Sequence, residues 1–98
     1  MRRLDNILLL DGSKLATIEA FHEALSRGLH FPDYYGRNLD ALYDCLTDYD
    51  GSPLTIHWTF IEDSLKLLGE RTTSALLSVF KDAAARNPSL IFSTPDSN

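Results

Sequence analysis

The chain has 98 residues, 44% of them hydrophobic and 23% charged, which suits a globular domain and excludes a disordered one. That length supports one thin core that buries about two-thirds of the unfolded surface. Fourteen acids against nine bases give a formal charge of −5, which disfavours direct contact with nucleic acid or an anionic membrane.

In chain order, Met1-Arg2-Arg3 is basic, but the apolar run after it, Ile7 to Leu10, is only four residues long and ends at Asp11-Gly12-Ser13. That is far too short for a secretory signal or a membrane span and suits a buried strand. From Thr17 the period becomes helical: Ile18, Phe21, Leu25 and Leu29 share one stripe, with Thr17 as the expected N-cap and Gly28 as the expected stop. Phe31 to Arg37 contains Pro32 and Gly36 and reads as a loop. A second helix is expected from about Asn38, which can cap it, to Thr47, with Asp48 to Pro53 breaking it. Leu54 to Trp58 alternates like a half-buried strand. A short helix over Ile61–Leu68, ended by Gly69, precedes a longer one over Thr73–Arg86 that turns Leu76, Leu77, Phe80, Ala83 and Ala84 inward. Ser89 to Ser93 reads as the last strand.

The order β-α-α-β-α-α-β predicts an α/β fold. Strands joined by helical crossovers pair in parallel, giving a two-layer domain with a three-stranded parallel sheet and four helices mainly on one face. One domain over 1–94 with a disordered tail over 95–98 is expected. The single cysteine, Cys45, cannot form an intramolecular disulfide, so a reducing cytoplasm is the simplest location.

Nearly all of the excess charge lies between Asp33 and Asp50, where five acids face one base, Arg37. Leu39, Leu42, Cys45 and Leu46 form one face of the second helix, and Asp40, Asp44, Thr47 and Asp48 lie opposite. Like charges at successive turns repel by about 0.2–0.5 kcal/mol per pair, and Asp48 also sits toward the negative end of the helix dipole. Solvation explains a polar face, but it does not explain one sign at every turn with no basic partner at i+4. A surface that tolerates such repulsion suits an oppositely charged partner. Tyr34, Tyr35, Tyr43 and Tyr49 border the row, and tyrosines beside charges are typical of protein-binding hot spots. At least one of the four is expected in the core, Tyr35 first among them.

Other readings are weaker. Asp40 and Asp44 could couple as an acid/base pair, but catalytic pairs need a desolvated cleft and this face points outward. His22, His30 and His57 show no nucleophile or metal spacing, and His22, beside the first apolar stripe, is expected to be structural. Asp48-x-Asp50-Gly51 hints at a calcium loop, but Leu46 stands where a further ligand is required. Cys45 suits a small core filler and Trp58 the end of a strand. No catalytic residue, cofactor or metal is expected.

The run Phe31-Pro32-Asp33-Tyr34-Tyr35-Gly36-Arg37-Asn38-Leu39-Asp40-Ala41-Leu42-Tyr43-Asp44-Cys45-Leu46-Thr47 resembles the signature segment of the barstar family, intracellular inhibitors of barnase-type ribonucleases. The similarity continues through Pro53-Leu54-Thr55-Ile56-His57-Trp58 and Val79-Phe80-Lys81-Asp82-Ala83 to the last strand. It implies that the second helix and the loop before it plug a ribonuclease active site. Asp44 would then enter the phosphate pocket and meet its arginines and catalytic histidine. Asp40 and the Gly36–Asn38 backbone would contact neighbouring basic groups, Tyr34 would pack on the partner's histidine, and Asp82 would make a peripheral contact from the last helix. The chain departs from the family prototype at Tyr43 and Tyr49, where tryptophans stand. Asp82 replaces a longer glutamate, and Arg37 replaces a negative charge. Arg37 is expected either to pair with an acid of its own helix or to repel a basic partner.

The expected binding set is Tyr34, Gly36, Arg37, Asn38, Asp40, Tyr43, Asp44, Thr47, Tyr49 and Asp82. Its expected partner is a basic ribonuclease, bound by a monomer that contacts neither nucleic acid nor membrane. An acidic adaptor for a basic partner that is not a nuclease is the alternative.

Overall fold

A computed structural model describes residues 6–95; the basic start Met1-Arg2-Arg3 and most of the expected tail lie outside the described residues. The elements are β1 (Asn6–Asp11), α1 (Ile18–Leu29), α2 (Leu39–Asp48), β2 (Leu54–Thr59), α3 (Ile61–Leu68), α4 (Glu70–Arg86) and β3 (Leu90–Ser93). The three strands form one parallel sheet in the order β1-β2-β3. The expected α/β architecture is the one observed.

Alternation along the strands decides which face is buried. Leu54, Ile56 and Trp58 of β2 point into the helical layer, as do Leu10 of β1 and Leu90 of β3. Trp58 lies at the centre, edge-on to Phe21 of α1 and to Phe80 of α4, and its indole N–H donates to Ser64 Oγ at 3.0 Å. Phe80 also stacks on Phe92 of β3.

The structure corrects three expectations. The run Ile7 to Leu10 is not wholly buried: Ile7 and Leu9 are 64% and 58% exposed, because the helices cover one face of the sheet and alternate residues of an edge strand face the other. Gly28 does not stop α1. The helix continues to Leu29 and ends at His30, whose backbone is left-handed (φ 58°) and whose N–H donates to Ser26 O. Gly28 instead allows close packing, since a Cβ there would lie 2.5 Å from Leu8 Cδ1. The last helix starts at Glu70, not Thr73, because Gly69 (φ 89°) ends α3 and begins α4 without an intervening loop. Thr73 is thereby buried in the first turns, where its hydroxyl donates to Ser64 O at 3.2 Å.

Candidate functional site

The acidic row begins where the backbone requires it. Asn38 has an extended backbone, and its Oδ1 accepts from Ala41 N at 2.8 Å, the expected N-cap of α2. Its Nδ2 reaches back to Gly36 O at 3.3 Å, so one side chain joins loop and helix. Leu42 and Leu46 are buried, and Leu39 and Cys45 pack against the core from its edge. That fixes the rotation of α2 and leaves Asp40, Asp44 and Asp48 exposed on the opposite side. The two ion pairs among the described residues both go to Glu23 of α1, so neither neutralises the row.

The tyrosines divide by role. Tyr34 is 88% exposed and free to meet a partner. Tyr35 is buried, as expected, where its hydroxyl bonds His22 Nδ1 and its ring packs on Phe31. Tyr43 and Tyr49 are half-buried against the core, and Tyr49 donates to Ser52 O, stitching the turn after α2. Thr47 is half-buried too, its hydroxyl donating to Asp44 O at 3.1 Å. Asp82 is exposed on α4, the helix that packs against α2.

A groove of about 670 Å³ runs beside α2. Its buried or half-buried lining includes Leu29, Phe31, Tyr35, Ala41, Cys45 and Tyr49, and its exposed lining includes Tyr34, Asp44, Asp48 and Asp50. Three of the five acids of the segment therefore border an apolar cleft. Burial and then the carboxylates of Asp48 and Asp44 push the Cys45 thiol up, which leaves it protonated and a poor nucleophile. Among the described residues no cluster of three or more His, Cys, Asp or Glu could hold a metal ion. Among the same residues no helix is long and apolar enough to cross a membrane.

His22 anchors the loop through Tyr35. Burial first, and then the charge of Arg37, hold its imidazole below the ordinary value. Burial pushes the Tyr35 phenol well up. Both groups are thus neutral at pH 7, and the phenol can donate to Nδ1 when the ring carries its proton on Nε2. The unfolded chain binds a proton at His22 near pH 6.5 and the folded one only at lower pH. The stability contributed here is therefore complete above about pH 6.5 and is lost as pH falls to the depressed folded value. Urea unfolding as a function of pH should show this loss in the parent and a shallower one in His22→Gln.

The first of the two roles expected for Arg37 is not the one observed. Its backbone is left-handed (φ 55°), and its Nη2 donates to Glu23 Oε1 at 3.1 Å, so it pairs with α1 and not with an acid of its own helix. Glu23 and Asn87 support this segment through contacts that sequence reasoning missed. Glu23 carries a local signal only toward Arg27 at i+4. Asn87, at the end of α4, donates through Nδ2 to Leu46 O, Thr47 O and Tyr49 O at 2.9, 3.3 and 2.7 Å. It thereby caps α2 from some forty residues away, and nothing in the local sequence marks that contact.

Comparison with known proteins follows the same line. The family model described as "Barstar (barnase inhibitor)" matches residues 6–92. The chain is also similar to a Bacillus subtilis (strain 168) protein named "Putative ribonuclease inhibitor YrdF", with 45% identity over 69 residues, covering 70% of this chain and 76% of that protein.

Proposed function

The chain belongs to the barstar family, and from that premise we propose that it is an intracellular inhibitor of a barnase-type ribonuclease, acting through α2 and the loop before it. Family and relative together support a ribonuclease-inhibitor role; the target class and the mechanism are the proposal. The observation that carries it is the exposed row Asp40, Asp44, Asp48, to which neither ion pair among the described residues supplies a cation.

A ribonuclease site holds RNA phosphates with cationic side chains. Carboxylates at helical spacing can take the place of those phosphates, with charge-assisted and often bidentate bonds to arginine. Asp44, at the centre of the row and on the groove, enters the phosphate pocket. Asp40 and the Gly36–Asn38 backbone meet the neighbouring basic groups. Tyr34 packs over a partner ring, Tyr43, Thr47 and Tyr49 shape the border, and Asp82 makes a peripheral contact. The inhibitor performs no chemistry: it occupies the site as a cytoplasmic monomer and buries roughly 800 Å² on each side.

Titration of a barnase-type ribonuclease with the protein, read by RNA cleavage, is expected to give stoichiometric inhibition. Association should be fast at low ionic strength and should slow markedly as salt is added. Full cleavage activity at excess inhibitor would overturn the proposal. Absence of inhibition together with tight binding to a basic protein of another class would establish an adaptor instead.

A further inference from the structure

Arg37 is the one base between Asp33 and Asp50, and it lies one residue before the cap of the acidic helix. Two sets of anions compete for a guanidinium there: the row on α2, which begins three residues ahead at Asp40, and the carboxylate of Glu23 on α1. The structure resolves the choice. Glu23 Oε1 accepts from Arg37 Nη2 at 3.1 Å, and Glu23 Oε2 accepts from Arg27 Nε at 3.1 Å. Each oxygen of one carboxylate thus holds one arginine, and Arg27, at i+4 on the same helix, fixes the carboxylate that Arg37 meets. The left-handed backbone at Arg37 is consistent with a side chain directed back across the loop.

We infer that Glu23 is a positioning residue for partner binding: it holds the Arg37 side chain against α1 and so keeps the only cation of the binding segment off the acidic row. The inference rests on the inhibitor reading of that row and extends it to a residue outside the binding helix. Glu23 touches no partner in this scheme and acts through Arg37. Its carboxyl group is held below the ordinary range chiefly by the hydrogen bond from Arg37, with the charge of Arg27 next. Along the chain the acid nearest to Arg37 is Asp40, three residues ahead, and a pair formed with it in the absence of Glu23 would cancel part of the field that attracts a basic nuclease.

The test is stopped-flow association with a barnase-type ribonuclease at low ionic strength, using Glu23→Gln, Arg37→Gln, the double variant, and Glu62→Gln on α3 as a control that removes the same charge elsewhere. Glu23→Gln should slow association on the order of threefold more than the control. The excess should vanish at about 1 M salt, where the screening length is about 3 Å, and it should vanish in the Arg37→Gln background. A simple loss of structure at Glu23 would not be rescued by removing Arg37. Equal effects of Glu23→Gln and Glu62→Gln, or a deficit that persists without Arg37, would overturn the inference.

Nuclear Overhauser effects decide the matter without a partner. Arg37 side-chain protons should contact α1 in the parent and α2 in Glu23→Gln; unchanged contacts with α1 would overturn the inference. Failure of the parent to bind the nuclease would count against the inhibitor reading and leave these contacts to decide the role of Glu23.

Discussion

Asp44→Ala is expected to weaken inhibition of a barnase-type ribonuclease more than any other single truncation of the row, while leaving the fold intact. Removing one member of a desolvated, hydrogen-bonded charge pair costs on the order of 2–5 kcal/mol at protein interfaces generally. That corresponds to roughly thirty- to several-thousandfold in affinity. Asp44 should lie at the upper end because it is central in the row and borders the groove, so its loss strands the phosphate-site cations of the nuclease. The free protein should not suffer. Asp44 is exposed, its side chain is in neither of the ion pairs found among the described residues, and its removal relieves repulsion from Asp40 and Asp48 of about 0.2–0.5 kcal/mol per pair. Inhibition titrations and urea unfolding on the same sample separate the two effects. An Asp44→Ala protein that inhibits as well as the parent would refute the assignment.

Asn87→Asp should produce the largest loss of stability among the substitutions considered. The Asn87 side chain is nearly buried, at 6% exposure. Its two amide hydrogens are shared among three carbonyls at the end of α2, and its Oδ1 accepts from Ser89 N at 2.9 Å. Those carbonyls form the negative end of the helix dipole, and Asp48 stands on the same turn, with no basic residue in that last turn. An amide supplies donors there; an ionised carboxylate supplies only acceptors and adds a charge of the wrong sign. The expected cost is about 3–5 kcal/mol, a large share of the 5–15 kcal/mol typical of a whole domain. Asn87→Ala, which strands the carbonyls without adding charge, should cost roughly 1–3 kcal/mol.

The pH dependence distinguishes the two variants. In the folded state the introduced carboxyl group favours its protonated, donating form, so its pKa rises above the unfolded value. Stability relative to the parent is then lowest at neutral pH and recovers as pH falls through that raised pKa. Asn87→Ala should show no such recovery. Urea unfolding of the three proteins between neutral and mildly acidic pH measures both claims, and equal stability of Asn87→Asp and parent at pH 7 would show that the cap is not made in solution.

Periodicity carried most of the fold. The apolar stripes at helical spacing, the alternation over Leu54–Trp58, and the breakers at Asp11-Gly12, Pro32 and Gly69 marked every element in order, and the crossovers dictated a parallel sheet. The rotation of α2 was equally legible, because a helix that buries Leu42 and Leu46 must present Asp40, Asp44 and Asp48 to solvent. Asn38 could be read as a cap because a cap acts within three residues of itself.

What only the tertiary structure decided involves residues distant in sequence or choices among equivalent partners. The strand order β1-β2-β3, and hence which alternate residues of Ile7–Leu10 stay wet, depends on how helices and sheet assemble, and no local pattern encodes it. Gly28 reads as a stop until Leu8 is seen pressing on it. The acids near Arg37 along the chain are Asp33 in the loop and Asp40 on the helix that follows, yet the folded loop delivers it to Glu23. The carbonyls at the end of α2 are completed by an amide at Asn87. Short-range periodicity is a property of a chain alone; electrostatic and hydrogen-bond pairing depends on distances in space, and these are defined only once the layers have closed.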